Sequence, residues 1–157
     1  KLFVMATNDK KQRNTNNVDA TGLTVAANIK RLRGGLSFPE LSRRLSAVGR
    51  PLPVIALRRI EEGNRNVTVD DLMAFAIVFG VSPLTLLMPE YASNQAETRI
   101  TGTSTSVSSL RAWSWAKCET PLPSNESDAM QNDNDVAGML DAGELFRFRS
   151  NPKKLEH

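Results

Sequence analysis

Apolar residues recur at helical spacing through the first ninety positions of this chain and thin out beyond them. Val25, Ile29 and Leu32, four and three apart, mark the buried face of a first helix. It opens near Thr21 or Thr24, either of which can cap it, and Gly34-Gly35 stops it. Ser37 caps a second helix, with Glu40 three residues on to complete a capping box and Pro39 in the first turn, where a missing N–H costs little. Leu36, Leu41 and Leu45 point inward, and the helix ends at Val48-Gly49. The stretch Gly49-Arg50-Pro51-Leu52-Pro53 is a long turn with two prolines, and Pro53 starts a third helix that runs to Gly63. Leu57 and Ile60 share one face of it, which leaves Val54, Ile55, Arg58 and Arg59 with less obligation to the core. A fourth helix begins near Thr68. Asp70 and Asp71 sit at the positive end of its dipole, and Leu72, Phe75, Ala76 and Phe79 form its core face. A fifth follows Ser82-Pro83 and buries Leu84, Leu86, Leu87 and Met88.

After Pro89 the pattern changes. Residues 90–106 are rich in Ser, Thr, Asn and Gln and read as a linker. Val107, Leu110, Arg111, Trp113, Trp115 and Ala116 then predict an amphipathic helix bearing both tryptophans. A polar, acidic, proline-containing loop is expected over 120–134, and a last helix over about Asp135 to Arg149, with Val136, Met139, Leu140, Leu145 and Phe146 apolar. Two short helices cannot enclose a core, so this 107–152 extension must pack on the preceding domain, on a second copy or on a partner. At the other end, residues 1–20 read as a disordered Asn/Lys/Thr-rich arm, with Lys1 to Val4 ahead of Met5 taken as a vector remnant. The 153–157 tail ends Leu155-Glu156-His157, like the start of a purification tag. The expected class is therefore all-α: a five-helix domain over 21–89 with a C-terminal extension of one or two helices.

Charge sharpens the picture. The overall net charge of +3 hides an asymmetry: residues 1–90 carry +5 and residues 91–157 carry −2. Between Val25 and Asn66 nine basic residues face three acidic ones, a local field that attracts phosphate backbones. A single cysteine, Cys118, allows no intrachain disulfide and no cysteine-based zinc site, and fits a reducing cytoplasm. No apolar run reaches the roughly 18 residues needed to span a bilayer. The lone histidine is His157, and there is neither a Gly-rich phosphate loop nor metal-ligand spacing, so neither an enzyme nor a cofactor is expected.

The ordered set Leu36, Ser37, Glu40, Leu41, Leu45, then Arg59, Ile60, Glu61 and Gly63 continues through Val67-Thr68-Val69-Asp70-Asp71-Leu72. It goes on through Ala74, Phe75, Ala76 and Phe79 to Gly80-Val81-Ser82-Pro83-Leu84-Thr85-Leu86-Leu87. Over roughly residues 22–88 this resembles the lambda-repressor-like (Xre/Cro) helix-turn-helix family. The order of the set carries the likeness, since no single tetrapeptide is specific. The tryptophan-bearing helix followed by Phe146-Arg147-Phe148-Arg149-Ser150 is similar, more loosely, to tails of actinobacterial and actinophage regulators. The two-proline turn is longer than the family's usual one.

That resemblance implies a double-stranded-DNA-binding transcriptional regulator, a repressor in the first instance, with a phage or prophage immunity repressor as a special case. The family's base-reading positions match Val54, Ile55, Arg58 and Arg59, with Phe38 at the edge. An arginine there can pair with guanine O6 and N7, and Val54 and Ile55 can meet thymine methyls, unless both are buried beneath the long turn. Lys30, Arg31, Ser37, Arg43, Arg44, Arg50, Asn64 and Arg65 are expected on phosphates. A carboxylate facing DNA would be repelled, so Glu61 is read as structural; in the family it pairs with an arginine near the end of helix 1. Counting back from Leu36 selects Arg31, whereas aligning Ile29 and Leu32 selects Arg33, the preferred assignment. An exposed pair of this kind contributes about 0–1 kcal/mol. Family members often dimerise around helix 5 and read half-sites one turn apart, which makes a homodimer a candidate state. The competing reading is an antitoxin whose acidic 107–152 tail folds on a protein toxin.

Overall fold

Helix starts follow local chemistry. In the computed structural model, which describes residues 17–122 and 141–151, five helices come first: α1 (Ala20–Arg33), α2 (Phe38–Ala47), α3 (Val54–Glu61), α4 (Val69–Phe79) and α5 (Pro83–Leu87). Ser37 Oγ accepts the Glu40 N–H at 3.3 Å, Thr68 Oγ1 the Asp71 N–H at 3.1 Å and Ser82 Oγ the Leu84 N–H at 3.3 Å. Each satisfies an amide that the first helical turn leaves without a partner. Pro53 opens α3 without a side-chain cap, and Gly80, in the left-handed region at φ 66°, closes α4.

Two expected caps differ. The first helix is capped by Asp19, whose Oδ1 accepts the Ala20 N–H at 2.7 Å, so it begins inside the expected arm. Thr21 and Thr24 are engaged elsewhere: Thr24 Oγ1 donates to the Ala20 carbonyl, and Thr21 meets Thr101. Only half of the capping box at α2 forms, because the Glu40 carboxylate is occupied by Arg43 and Arg44 instead of the Ser37 N–H. The reciprocal box forms at α4, between Thr68 and Asp71.

One core joins all five helices. Val25, Ile29, Leu41, Leu45, Leu52, Leu57, Ile60, Ala74, Phe75, Ala76 and Leu86 are buried together, with Leu32, Leu36, Phe38, Leu72 and Phe79 packed on them. Each large side chain fully removed from water contributes about 1.5–3 kcal/mol, which is what fixes the short α3 in place. Asn28, a polar residue on the buried face of α1, donates to the carbonyls of Leu86 and Met88 at 3.0 and 2.8 Å and so ties α1 to the end of α5.

The 90–106 stretch, expected as a linker, is tied into the fold. It contains β1 (Glu97–Thr98), paired antiparallel with β2 (Val107–Ser108) in the register Glu97↔Ser108 and Thr98↔Val107. Thr21 and Thr101 exchange backbone-to-hydroxyl hydrogen bonds at 3.1 and 2.9 Å, and the Ser109 hydroxyl accepts from the Ser93 N–H at 2.9 Å and donates to the Ser93 carbonyl at 3.0 Å. A Ser/Thr-rich sequence reads as a linker by composition, but here hydroxyl-to-backbone hydrogen bonds fasten it to the helices on either side. Beyond it, α6 (Ser109–Ala116) packs at the end of the first core. Met88, Val107 and Ala112 are buried, with Leu87, Ile100, Trp113, Trp115, Ala116 and Leu122 against them. The Trp113 indole N–H donates to the Pro89 carbonyl at 2.8 Å. The last helix, α7 (Ala142–Ser150), meets the end of α6 through an Arg147 donation to the Glu119 carbonyl and the Cys118 thiol near the Ser150 carbonyl.

The expected arm up to residue 16, the acidic loop over 123–134, Val136, Met139 and Leu140 of the last predicted helix, and the 153–157 tail lie outside the described residues. Among the described residues no helix is long and apolar enough to cross a membrane.

Candidate functional site

The outward face of α3 is built by subtraction. Ala56, Leu57 and Ile60 are buried, so the helical repeat turns Ile55, Arg58 and Arg59 outward; Val54 is half-buried. Ile55 is 65% exposed, so the two-proline turn does not cover it. That turn is clamped at both ends. Ser42 Oγ donates to the Leu52 carbonyl at 2.6 Å, Leu52 is buried, and Arg50 Nε donates to the buried Asp71 carboxylate at 2.6 Å while its NH2 reaches Thr68 Oγ1 at 3.1 Å. Burial alone would push the Asp71 carboxyl up, but hydrogen bonds from Arg50 and Thr68 outweigh it and hold the group below its ordinary value.

A second tether fixes the far end of α3. Arg33, the last residue of α1, donates through Nε and NH2 to the two carboxylate oxygens of Glu61 at 2.6 and 2.9 Å, and through NH1 to the carbonyls of Leu36 at 2.9 Å and Gly34 at 3.3 Å. Of the two arginines open to this role, Arg33 takes it. Arg31 instead donates to Asn28 Oδ1 and lies 3.8 Å from Glu90. The hydrogen bonds to Glu61 raise the Arg33 pKa further, despite its partial burial.

The basic residues now fall into two sets. Arg31, Arg33, Arg43, Arg44 and Arg50 all have carboxylate neighbours. The partnership of Arg43 and Arg44 with Glu40 is an exposed one within a single helix. Arg43 donates at 2.8 and 2.7 Å and Arg44 at 2.9 Å, and together they lower the Glu40 carboxyl to about 2. Pairs of this kind contribute little and can yield to a phosphate. Arg50, held by a buried carboxylate, belongs to the scaffold. Among the described residues, the Arg58 and Arg59 side chains form no hydrogen bond or ion pair, and their donors are uncommitted.

Two shallow depressions flank these two arginines. Lys30, Arg33, Phe38, Arg58, Glu61 and Glu62 line one of about 240 Å³. Arg59, Asn64, Arg65 and Asn66 line another of about 350 Å³. The first brings Lys30, Phe38 and Arg58 together, and the second joins Arg59 to Asn64 and Arg65. Ser37 is exposed and serves as the α2 cap.

No family model, curated protein or solved structure matches the chain.

Among the described residues there is no group of three or more His, Cys, Asp or Glu placed to hold a metal ion. Two adjacent guanidiniums offer fork-shaped donor sets that match phosphate oxygens or the O6/N7 edge of guanine, and exposed Ile55 beside them offers an apolar contact. Asn28, Ser42 and Asp71 escaped the sequence reading as positioning residues. A polar residue between Val25 and Ile29 was the one signal for Asn28; nothing local marks Ser42 or the pairing of Asp71 with Arg50.

Proposed function

We propose that this protein is a sequence-specific double-stranded-DNA-binding transcriptional regulator, acting as a repressor by occupying the major groove at its site. In this reading α1–α5 form a lambda-repressor-like domain, α2 and α3 are its helix-turn-helix pair, and α3 enters the groove. The observation that carries it is the outward face of α3, where the Arg58 and Arg59 side chains keep their donors uncommitted beside an exposed Ile55, while Arg33 and Arg50 at its two ends are held by carboxylates. Arg58 and Arg59 read guanine edges, Val54 and Ile55 meet thymine methyls, and Lys30, Arg43, Arg44, Asn64 and Arg65 meet phosphates.

Selection of bound duplexes from a randomised pool at near-physiological salt tests this. A motif containing G·C pairs beside thymines is expected, and Arg58→Ala or Arg59→Ala should lower affinity for it about tenfold or more, consistent with about 1–3 kcal/mol for a bidentate arginine–guanine contact. A palindromic motif would indicate a dimer reading two half-sites. Weak binding to all duplexes with nothing enriched would overturn the reading. The antitoxin alternative draws on α7, where Phe148 is 58% exposed and offers an apolar side chain to a protein partner.

A further inference from the structure

Phe38 is the first residue of α2, half-buried against the main core, and its ring is approached by two cations. The Arg33 guanidinium carbon lies 4.2 Å from the ring centroid and that of Arg58 lies 4.9 Å from it. Two guanidiniums on one ring would ordinarily repel each other. Here Arg33 is neutralised by its two hydrogen bonds to Glu61 and fixed by the Leu36 carbonyl, so it acts as part of the scaffold. Arg58 is different: among the described residues its guanidinium meets the ring and no hydrogen-bond acceptor, so its donors remain free.

We propose that Phe38 is a positioning residue for Arg58: the ring restrains the guanidinium above it, so that its N–H donors are presented to a guanine before the DNA arrives. This deepens the proposed function and rests on it. An arginine on a free helix surface samples many rotamers, and a base contact must restrict all of them. Contact with an aromatic face restricts them in the free protein without consuming a hydrogen-bond donor, so the donors remain available for a bidentate pair with O6 and N7. The predicted signature is a gain in discrimination at one base position, with no part in phosphate attraction.

The test uses the full chain and the duplex that it selects. Arg58→Ala first identifies the guanine it reads, as the position where replacing G by A, or by 7-deazaguanine, no longer changes affinity. Phe38→Leu keeps an apolar side chain and removes the ring. Pentafluorophenylalanine at position 38 keeps the ring's shape and removes its negative face, and serves where the leucine variant unfolds by circular dichroism. Both should reduce discrimination at the Arg58 position by about two- to fivefold, the range for a cation–π contact at an exposed site. Phe38→Tyr should restore it. The slope of log affinity against log salt should stay unchanged, and neither change should have a further effect at that position in the Arg58→Ala background. If Arg58→Ala flattens one position while the fluorinated ring leaves it fully discriminating, or lowers binding to every duplex equally, Phe38 does not position Arg58 and the inference falls. If Arg58→Ala itself changes no position, the assignment of Arg58 as a base reader fails instead.

Discussion

Replacing Glu61 by alanine removes both carboxylate acceptors of the Arg33 guanidinium at once, and the contact geometry sets the size of the effect. A surface pair would contribute about 0–1 kcal/mol, and stranding one member of a fully buried pair would cost about 3–5 kcal/mol. This pair lies between those limits: the Glu61 side chain is 6% exposed and that of Arg33 is 17% exposed. The bereft arginine keeps the Leu36 and Gly34 carbonyls as acceptors and some contact with water. Loss of two charge-assisted hydrogen bonds, partly offset in this way, should destabilise the domain by about 2 kcal/mol. Urea unfolding followed by far-UV circular dichroism should show the midpoint falling by about 1 M with an unchanged slope. Arg33→Ala should behave similarly, and the double variant should lose less than the sum of the two, with a coupling of about 1–2 kcal/mol. A coupling below about 0.5 kcal/mol would mean that the pair behaves as if in water, and that burial of Leu57 and Ile60 alone holds the end of α3.

Acid should weaken the fold through carboxyls whose folded pKa is depressed. Burial opposes ionisation of Asp71, but Arg50 and Thr68 outweigh it; Arg43 and then Arg44 lower Glu40 from 4.5 to about 2. Stability from both groups is therefore complete above the unfolded carboxylate range and is lost as pH falls through the folded values, so the melting temperature should decline below about pH 4.5. Asp71→Asn should flatten that decline more than Glu40→Gln, whose pair is exposed. Gly63 sits at φ 71°, and a Cβ there would stand 2.8 Å from Leu23 Cδ2, so Gly63→Ala should destabilise by about 1–2 kcal/mol in the same urea assay. Trp113→Phe removes the indole donation to the Pro89 carbonyl, worth about 1 kcal/mol. Amide exchange over 107–117 should then accelerate about fivefold while α1–α5 stay protected, and equal acceleration throughout would show that α6 and the first core open together.

The local sequence determined the five N-terminal helices, the buried faces of α2, α3 and α4, and the outward turn of Arg58 and Arg59. Helical period and capping chemistry act over a few residues, so Leu57 and Ile60 sufficed to place the α3 face, and Ser37, Thr68 and Ser82 marked three helix starts. Tertiary structure decided how the charges are used. Arg50 looked like any other basic residue until folding brought Asp71, 21 positions away, against it, and the choice between Arg31 and Arg33 rested on whether Glu61 or Asn28 and Glu90 came within reach. The ordering of 90–106 was hidden for the same reason, since Thr101 finds its partner on α1 and the Ser93 backbone finds the Ser109 hydroxyl on α6, pairings that composition cannot reveal. Periodicity records which side of a helix faces the core, whereas long-range packing brings Glu61 to Arg33 and Asp71 to Arg50 and so makes those two arginines part of the scaffold.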